Sequence, residues 1–121
     1  MVNKKILYVD DEQLNLMLLK LNLRNSHEVI TTDNPHKGLE LLSSEEEIGV
    51  VISDMKMPNM SGIEFVKQVK VAHPDMKCFV LTGLEETTEI QEAIQSGILL
   101  GYFKKPFNPE EIVQSLDNVL G

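Results

Sequence analysis

The sequence predicts an α/β fold: a three-layer α/β/α sandwich with a doubly wound, parallel five-stranded sheet in the middle. Short apolar runs alternate with longer segments whose apolar residues repeat at helical spacing. This alternation is typical of βαβ units, in which each crossover helix packs on the sheet. The third run is apolar on both faces, as a strand covered by helices on both sides should be. The strands are predicted at Lys5–Val9, Glu28–Thr32, Val50–Ser53, Lys77–Leu81 and Leu99–Phe103.

Capping and breaking residues mark the ends of the predicted helices. Pro35 suits the first turn of the second helix, because its missing N–H would be unpaired there anyway, and Pro109 gives the last helix the same start. The third helix begins near Gly62, and Gly97 ends the fourth as a left-handed cap. The inward-facing residues of the second to fifth helices are predicted to be Leu39, Leu41 and Leu42; Ile63, Phe65, Val66 and Val69; Ile90, Ala93 and Ile94; and Ile112, Leu116, Val119 and Leu120.

The first predicted helix, which follows Glu12, carries two apolar stripes. One has the spacing of a core-facing side and is predicted to pack on the sheet. Two stripes together exceed what one side of a sheet can bury, so the second is either part of a wide core or a surface for a partner or a dimer. The first stripe consists of Leu14, Met17, Leu18 and Leu21, and the second consists of Leu16, Leu19 and Leu23.

Composition limits the class of protein. At 121 residues, of which 42% are hydrophobic and 25% charged, we expect one domain that spans residues 1–121 around a continuous core. The net charge of −8 argues against nucleic-acid or membrane binding, because both favour basic surfaces. Cys78 is the single cysteine, and neither a signal peptide nor an apolar stretch of about 20 residues is visible, so we expect a cytoplasmic location.

Reactive side chains lie at the ends of four predicted strands. Asp10 and Asp11 follow the first strand, Asp54 the third, Thr82 the fourth and Lys105 the fifth. Because the carboxyl ends of parallel strands share one edge of the sheet, we expect these groups to converge. Mg²⁺ prefers hard oxygen ligands, and a carboxylate is a competent nucleophile for a phosphoryl group. The sequence therefore predicts a site for a divalent cation and a phosphoryl group.

These motifs resemble those of response-regulator receiver domains of two-component phosphorelays, in particular the chemotaxis-regulator type. The resemblance covers the full length and implies a flavodoxin-like topology with strand order 2-1-3-4-5. The motifs that carry it are Asp10-Asp11, the stretch from Asp54 to Gly62, Thr82-Gly83 and Lys105-Pro106.

The resemblance implies a role for each acidic residue. Asp54 would accept a phosphoryl group from a histidine kinase or a histidine phosphotransfer domain. Asp11 and Asp54 would ligate Mg²⁺ directly, and Mn²⁺ could substitute for it. Asp10 would act largely through a water molecule, and Lys56 would contribute its backbone carbonyl.

The resemblance also implies a switch. Lys105 would grip the phosphate, Thr82 would turn towards it, and Tyr102 lies at the position of the family's switch aromatic, although taken alone it is also consistent with a half-buried strand residue. Partners would bind the face of helix four, strand five and helix five, and a homodimer is a further expectation. The acidic residues of that face favour a basic partner; they are Glu85, Glu86, Glu89, Glu92, Glu110 and Glu111.

Two other function classes share parts of the pattern. A phosphatase of the haloacid-dehalogenase type needs Asp-x-Asp followed by Thr or Val, whereas this chain has Asp10-Asp11-Glu12-Gln13. A flavodoxin-like cofactor binder needs a Ser/Thr/Gly-rich phosphate loop after strand one, where the acidic residues here would repel a phosphate. We therefore predict a switch that assists its own phosphorylation and dephosphorylation, not an enzyme with a separate substrate.

Overall fold

The computed structural model describes residues 5–45, 47–83 and 87–120. Glu85 and Glu86, two residues of the expected partner-binding face, lie outside these residues. Among the described helices, none combines the length and the apolar character that crossing a bilayer requires. The elements are β1 (Lys5–Val9), α1 (Gln13–Leu23), β2 (Glu28–Thr32), α2 (Pro35–Ser44), β3 (Ile48–Asp54), α3 (Gly62–Ala72), β4 (Lys77–Thr82), α4 (Thr88–Gln95), β5 (Gly101–Lys104) and α5 (Pro109–Leu120).

The strands form one parallel sheet in the order β2-β1-β3-β4-β5, which confirms the predicted fold and topology. β5 begins two residues later than predicted. The reason is that the backbone N–H of Leu99 donates to Ala93 O at 3.1 Å, which ties this buried residue to the end of α4 before strand pairing starts.

The core consists of two apolar layers, one on each face of the sheet. Along β1 the residues alternate: Ile6 and Tyr8 pack with α1 and α5, whereas Leu7 and Val9 pack with α2, α3 and α4. This alternation follows from the two-residue period of a strand, and it gives the three-layer arrangement.

The side of α1 that faces the sheet is the opposite of the predicted one. The stripe expected in the core is exposed, and the second stripe is buried in the layer shared with α5. The prediction was wrong because the helix is apolar on nearly all sides, so spacing alone defines two stripes without selecting one. The exposed residues are Leu14, Met17, Leu18 and Leu21, and the buried ones are Leu16, Leu19 and Leu23.

The predicted helix ends are confirmed by their local contacts. Asn34 Oδ1 accepts a hydrogen bond from the backbone N–H of His36 at 2.8 Å, and Asn108 Oδ1 accepts one from Glu110 N at 3.0 Å. Both asparagines satisfy N–H groups that lack a partner in the first turn. Gly97 has a φ of 85°, the left-handed conformation that a glycine adopts without a steric penalty.

Candidate functional site

The carboxyl ends of β1 and β3 bring three carboxylates together. Asp10 and Asp11 directly follow β1, and Asp54 is the last residue of β3. One carboxylate oxygen of each residue lies within 4.8 Å of the others. Asp10 and Asp54 are buried, whereas Asp11 is exposed. Oxygen ligands of this kind are those that Mg²⁺ prefers, so the donor set fits that ion.

Lys105 opposes this negative charge. Its Nζ lies 2.6 Å from Asp54 Oδ1. Its backbone N–H donates to Thr82 O at 2.7 Å, and the Lys105–Pro106 peptide bond is cis. Thr82 is the buried last residue of β4, so the hydroxyl-bearing residue and the lysine lie on neighbouring strand ends, as the sequence predicted.

The charges at the site do not balance. Burial raises the pKa of Asp54; the hydrogen bond from Lys105 opposes this shift, and the charge of Asp10 adds to it. The pKa of Lys105 is also raised: burial alone would lower it, but its hydrogen bond to Asp54 and the charges of Asp54 and Asp10 outweigh burial. Nearby carboxylates contribute to both shifts: Asp10 and Asp11 add to the effect of burial on Asp54, and Asp54 and Asp10 raise the pKa of Lys105. With three carboxylates facing this lysine, an additional cation would be stabilised here.

The loop after β3 is fixed against the Asp54 backbone. Met55 N donates to Leu81 O at 2.9 Å, and Gly62 N donates to Met55 O at 2.8 Å. A Cβ at position 62 would overlap the carbonyl oxygen of Asp54, so this close approach requires glycine. Ser61 caps α3 in a reciprocal capping box, which holds the far end of the loop.

A cavity of about 300 Å³ opens beside Asp54. All the predicted site residues except two line this cavity. The exceptions are Asp10, which is fully buried, and Tyr102. Gly83 lines the cavity beside Thr82, and a Cβ at position 83 would meet no atom of the described residues within 4 Å. The residues that line the cavity are Asp11, Glu12, Asp54, Met55, Lys56, Thr82, Gly83 and Lys105.

Tyr102 lies outside this cavity. It is on β5, half-buried, in register with Val80, and its side chain packs against the layer of α2, α3 and α4.

Sequence reasoning missed two side chains that hold Asp10. The Tyr8 hydroxyl donates to Asp10 Oδ2 at 2.5 Å, and Asn15 Nδ2 donates to the same oxygen at 3.2 Å. Burial and the bond to Asp10 raise the pKa of Tyr8, so its hydroxyl stays protonated at neutral pH. A signal existed: Tyr8 is the polar member of an apolar run and lies two residues before Asp10, hence on the same face of an extended chain.

The parallel sheet carries an acidic cluster and a lysine at its carboxyl edge. This arrangement matches the class of α/β phosphoacceptor domains that the sequence motifs resemble. The family model of the response regulator receiver domain matches residues 6–117, and the chain belongs to that family. It is therefore a phosphoacceptor domain of a two-component system, as predicted. This assignment favours the receiver over the phosphatase and the cofactor binder.

Individual relatives agree in length and fold. The chain is 31% identical to sporulation initiation phosphotransferase F of Bacillus subtilis over 121 residues, which covers 99% of this chain and 96% of the relative. It is 32% identical to a chemotaxis protein CheY homolog of Campylobacter jejuni, with 97% and 92% of the two chains covered. A crystal structure of a response regulator receiver domain protein from Clostridium thermocellum superposes with a TM-score of 0.88 at 31% identity, covering 96% of this chain and 93% of that one.

Proposed function

We propose that Asp54 is the residue that accepts the phosphoryl group. One observation supports this assignment above the others: of the three carboxylates, Asp54 both lines the cavity and pairs with Lys105. Asp11 lines the cavity and is exposed, whereas Asp10 is fully buried and is not among the lining residues. An incoming phosphorus atom would therefore meet Asp54 next to a cation that can hold the transferred oxygens.

The proposed reaction is an in-line transfer from a phosphohistidine. A carboxylate oxygen of Asp54 forms a bond to phosphorus while the P–N bond to histidine breaks, which leaves an aspartyl phosphate and a free imidazole. The Lys105 ammonium and the Thr82 hydroxyl bind the phosphoryl oxygens. The hydrogen bond from Lys105 lowers the pKa of Asp54 against the effect of burial, which favours the ionised form that a nucleophile requires.

The acidic cluster is proposed to hold Mg²⁺, for which Mn²⁺ is an acceptable substitute. Asp11, Asp54 and the backbone carbonyl of Lys56 would bind the ion, and Asp10 would act through water. When bound, the ion supplies positive charge that neutralises the phosphoryl oxygens during transfer. The oxygen donor set and the excess negative charge of the site support this proposal.

We propose that residues 1–121 form one cytoplasmic receiver domain that acts as a switch and turns over no separate substrate. Phosphorylation would reposition Thr82 and Tyr102 and thereby alter the face of α4, β5 and α5, where an output protein or domain binds. Glu89, Glu92 and Glu110 lie on α4 and α5 and are exposed, which supports a basic partner.

The histidine kinase or phosphotransfer domain is proposed to dock on the exposed stripe of α1. A groove of about 660 Å³ lies beside this stripe, between α1 and the segment that follows β5. Leu18 belongs to the stripe and lines the groove, while Glu12 and Lys105 line both the groove and the cavity at Asp54. A partner seated on α1 would therefore reach the edge of the site. A second copy of this chain is the alternative occupant.

Phosphorylation by acetyl phosphate tests the acceptor assignment. With Mg²⁺ present, intact-mass measurement should show one phosphoryl adduct on the wild-type chain and none on Asp54→Asn. Asp75→Asn, which alters an exposed aspartate in the α3–β4 connection, is the matched control and should keep the adduct. An adduct that persists in Asp54→Asn would contradict the assignment; steady hydrolysis of a phosphate monoester or bound flavin absorbance would favour the alternative classes.

Phosphotransfer kinetics test the docking surface. Met17→Ala with Leu21→Ala should slow transfer from a histidine kinase that phosphorylates the wild-type chain, while the rate with acetyl phosphate stays unchanged. Val71→Ala, at an exposed apolar residue of α3, is the control and should leave both rates unchanged. Unchanged transfer together with a lower association constant in sedimentation equilibrium would assign the stripe to a homodimer instead.

A further inference from the structure

Tyr8 places a hydroxyl group beneath the acidic cluster, inside the core. Tyr8 and Asp10 are both 0% exposed. The ring packs in the apolar layer with α1 and α5, and its hydroxyl donates to Asp10 Oδ2 at 2.5 Å. Because the ring is enclosed on the core side, the direction from which this hydroxyl reaches Asp10 is fixed by packing.

The hydrogen bonds of Asp10 divide its two oxygens. Oδ2 accepts from the Tyr8 hydroxyl and from Asn15 Nδ2, which fills the acceptor capacity of that oxygen. Oδ1 accepts from the backbone N–H of Glu12 at 3.0 Å, which leaves it further acceptor capacity. Tyr8 therefore restrains the Oδ2 side of the Asp10 carboxylate, while Oδ1 can still accept a hydrogen bond from a group in the site.

We propose that Tyr8 is a positioning residue for the cation site, and that it acts through Asp10. The hydroxyl holds the buried carboxylate in one orientation before any cation arrives, so that binding does not have to order it. This inference rests on the proposed Mg²⁺ function. Hydrogen-bonding partners of metal-binding carboxylates commonly change metal affinity about 10–100-fold when they are removed.

The test compares Mg²⁺ affinity with stability in one conservative variant. Tyr8→Phe keeps the ring in the core and removes the hydroxyl. We expect its Kd for Mg²⁺, measured by isothermal titration calorimetry, to rise about 10-fold. At saturating Mg²⁺ the phosphorylation rate with acetyl phosphate should return towards the wild-type value, because Tyr8 does not touch the phosphoryl group.

A matched control separates positioning from general destabilisation. Ile6 lies on the same strand and in the same apolar layer as Tyr8. Ile6→Val should lower Tm while leaving the Kd for Mg²⁺ unchanged. If Ile6→Val raised the Kd as much as Tyr8→Phe does, loss of core packing would account for the effect and the proposal would be wrong.

A double-mutant cycle tests whether Tyr8 acts through Asp10. In an Asp10→Ala background the acceptor is gone, so Tyr8→Phe should produce no further change in Kd. An equal fold-change in both backgrounds, or an unchanged Kd in Tyr8→Phe, would overturn the inference while the acceptor assignment stands. A wild-type chain that binds no Mg²⁺ would instead overturn the proposed metal function.

The wild-type protein offers a second measurement should Tyr8→Phe not fold. The hydroxyl proton of Tyr8 should give an NMR signal protected from exchange with water, both with and without Mg²⁺. A hydroxyl that exchanges freely in the metal-free protein would contradict the proposed anchor.

Discussion

The orientation of α1 leads to the sharpest stability prediction. Leu19 is 0% exposed in the layer shared with α5, whereas Met17 and Leu21 on the same helix are 63% and 51% exposed. Leu19→Ala should lower the free energy of unfolding by about 3 kcal/mol, because a leucine removed from a close-packed core loses its transfer energy and leaves a cavity. Leu21→Ala should change it by about 0.5 kcal/mol or less, as at other surface positions.

Both substitutions replace leucine by alanine in the same helix, so the change in helix propensity is small and equal. With a urea m-value of about 1–3 kcal/mol/M, Leu19→Ala should lower the midpoint by roughly 1–3 M. Leu21→Ala should lower it by no more than about 0.5 M. Equal losses for the two variants, or a larger loss for Leu21→Ala, would refute the observed orientation and restore the one expected from spacing.

Three further predictions concern the site. Because burial raises the pKa of Asp54 above its unfolded value, its ionisation opposes folding at neutral pH. Asp54→Asn should therefore raise Tm in EDTA at neutral pH; the gain should shrink as the pH falls below the folded-state pKa and vanish below the unfolded-state pKa. A constant gain at all pH values would contradict this reasoning. Gly62→Ala should cost about 1–3 kcal/mol in urea unfolding and slow phosphorylation, because the new Cβ overlaps the Asp54 carbonyl oxygen. Gly83→Ala should unfold like wild type, because a Cβ there meets no atom within 4 Å in the part of the chain that the structure describes. Ser61→Ala should cost about 1 kcal/mol through loss of the capping box of α3, and an unchanged urea midpoint would argue against that cap.

The sequence could predict the sheet and the place of the site for one physical reason. Strand order and direction decide which strand ends meet, and the motif residues are at those ends. Asp11, Asp54 and Lys105 therefore converge once the strands are parallel, whatever the rotamers are. The helix caps at Asn34 and Gly97 were predictable because they depend on contacts within a few residues.

The features that sequence reasoning missed depend on tertiary packing. Leu16, Leu19 and Leu23 pack in the apolar layer that α1 shares with α5. Their fit in that layer selects the side of α1 that faces the sheet, and residue spacing does not encode this fit. The anchoring of Asp10 by Tyr8 depends on the direction in which a buried ring points, which is set by its neighbours.

β5 provides a physical route from the site to the predicted switch aromatic. The Lys105 side chain contacts Asp54, and its backbone N–H is bonded to Thr82 O at the end of β4. Tyr102 lies three residues earlier on β5, which is an edge of the sheet and pairs only with β4 among the described strands. If Lys105 changes its partner, the change therefore acts on β5, a short strand with a single set of ladder bonds. Coupling between the site and Tyr102 requires an element that can adopt two arrangements. Faster amide hydrogen exchange at β5 than at β4, with rates that change on phosphorylation, would identify β5 as that element; equal protection of both strands in both states would exclude it.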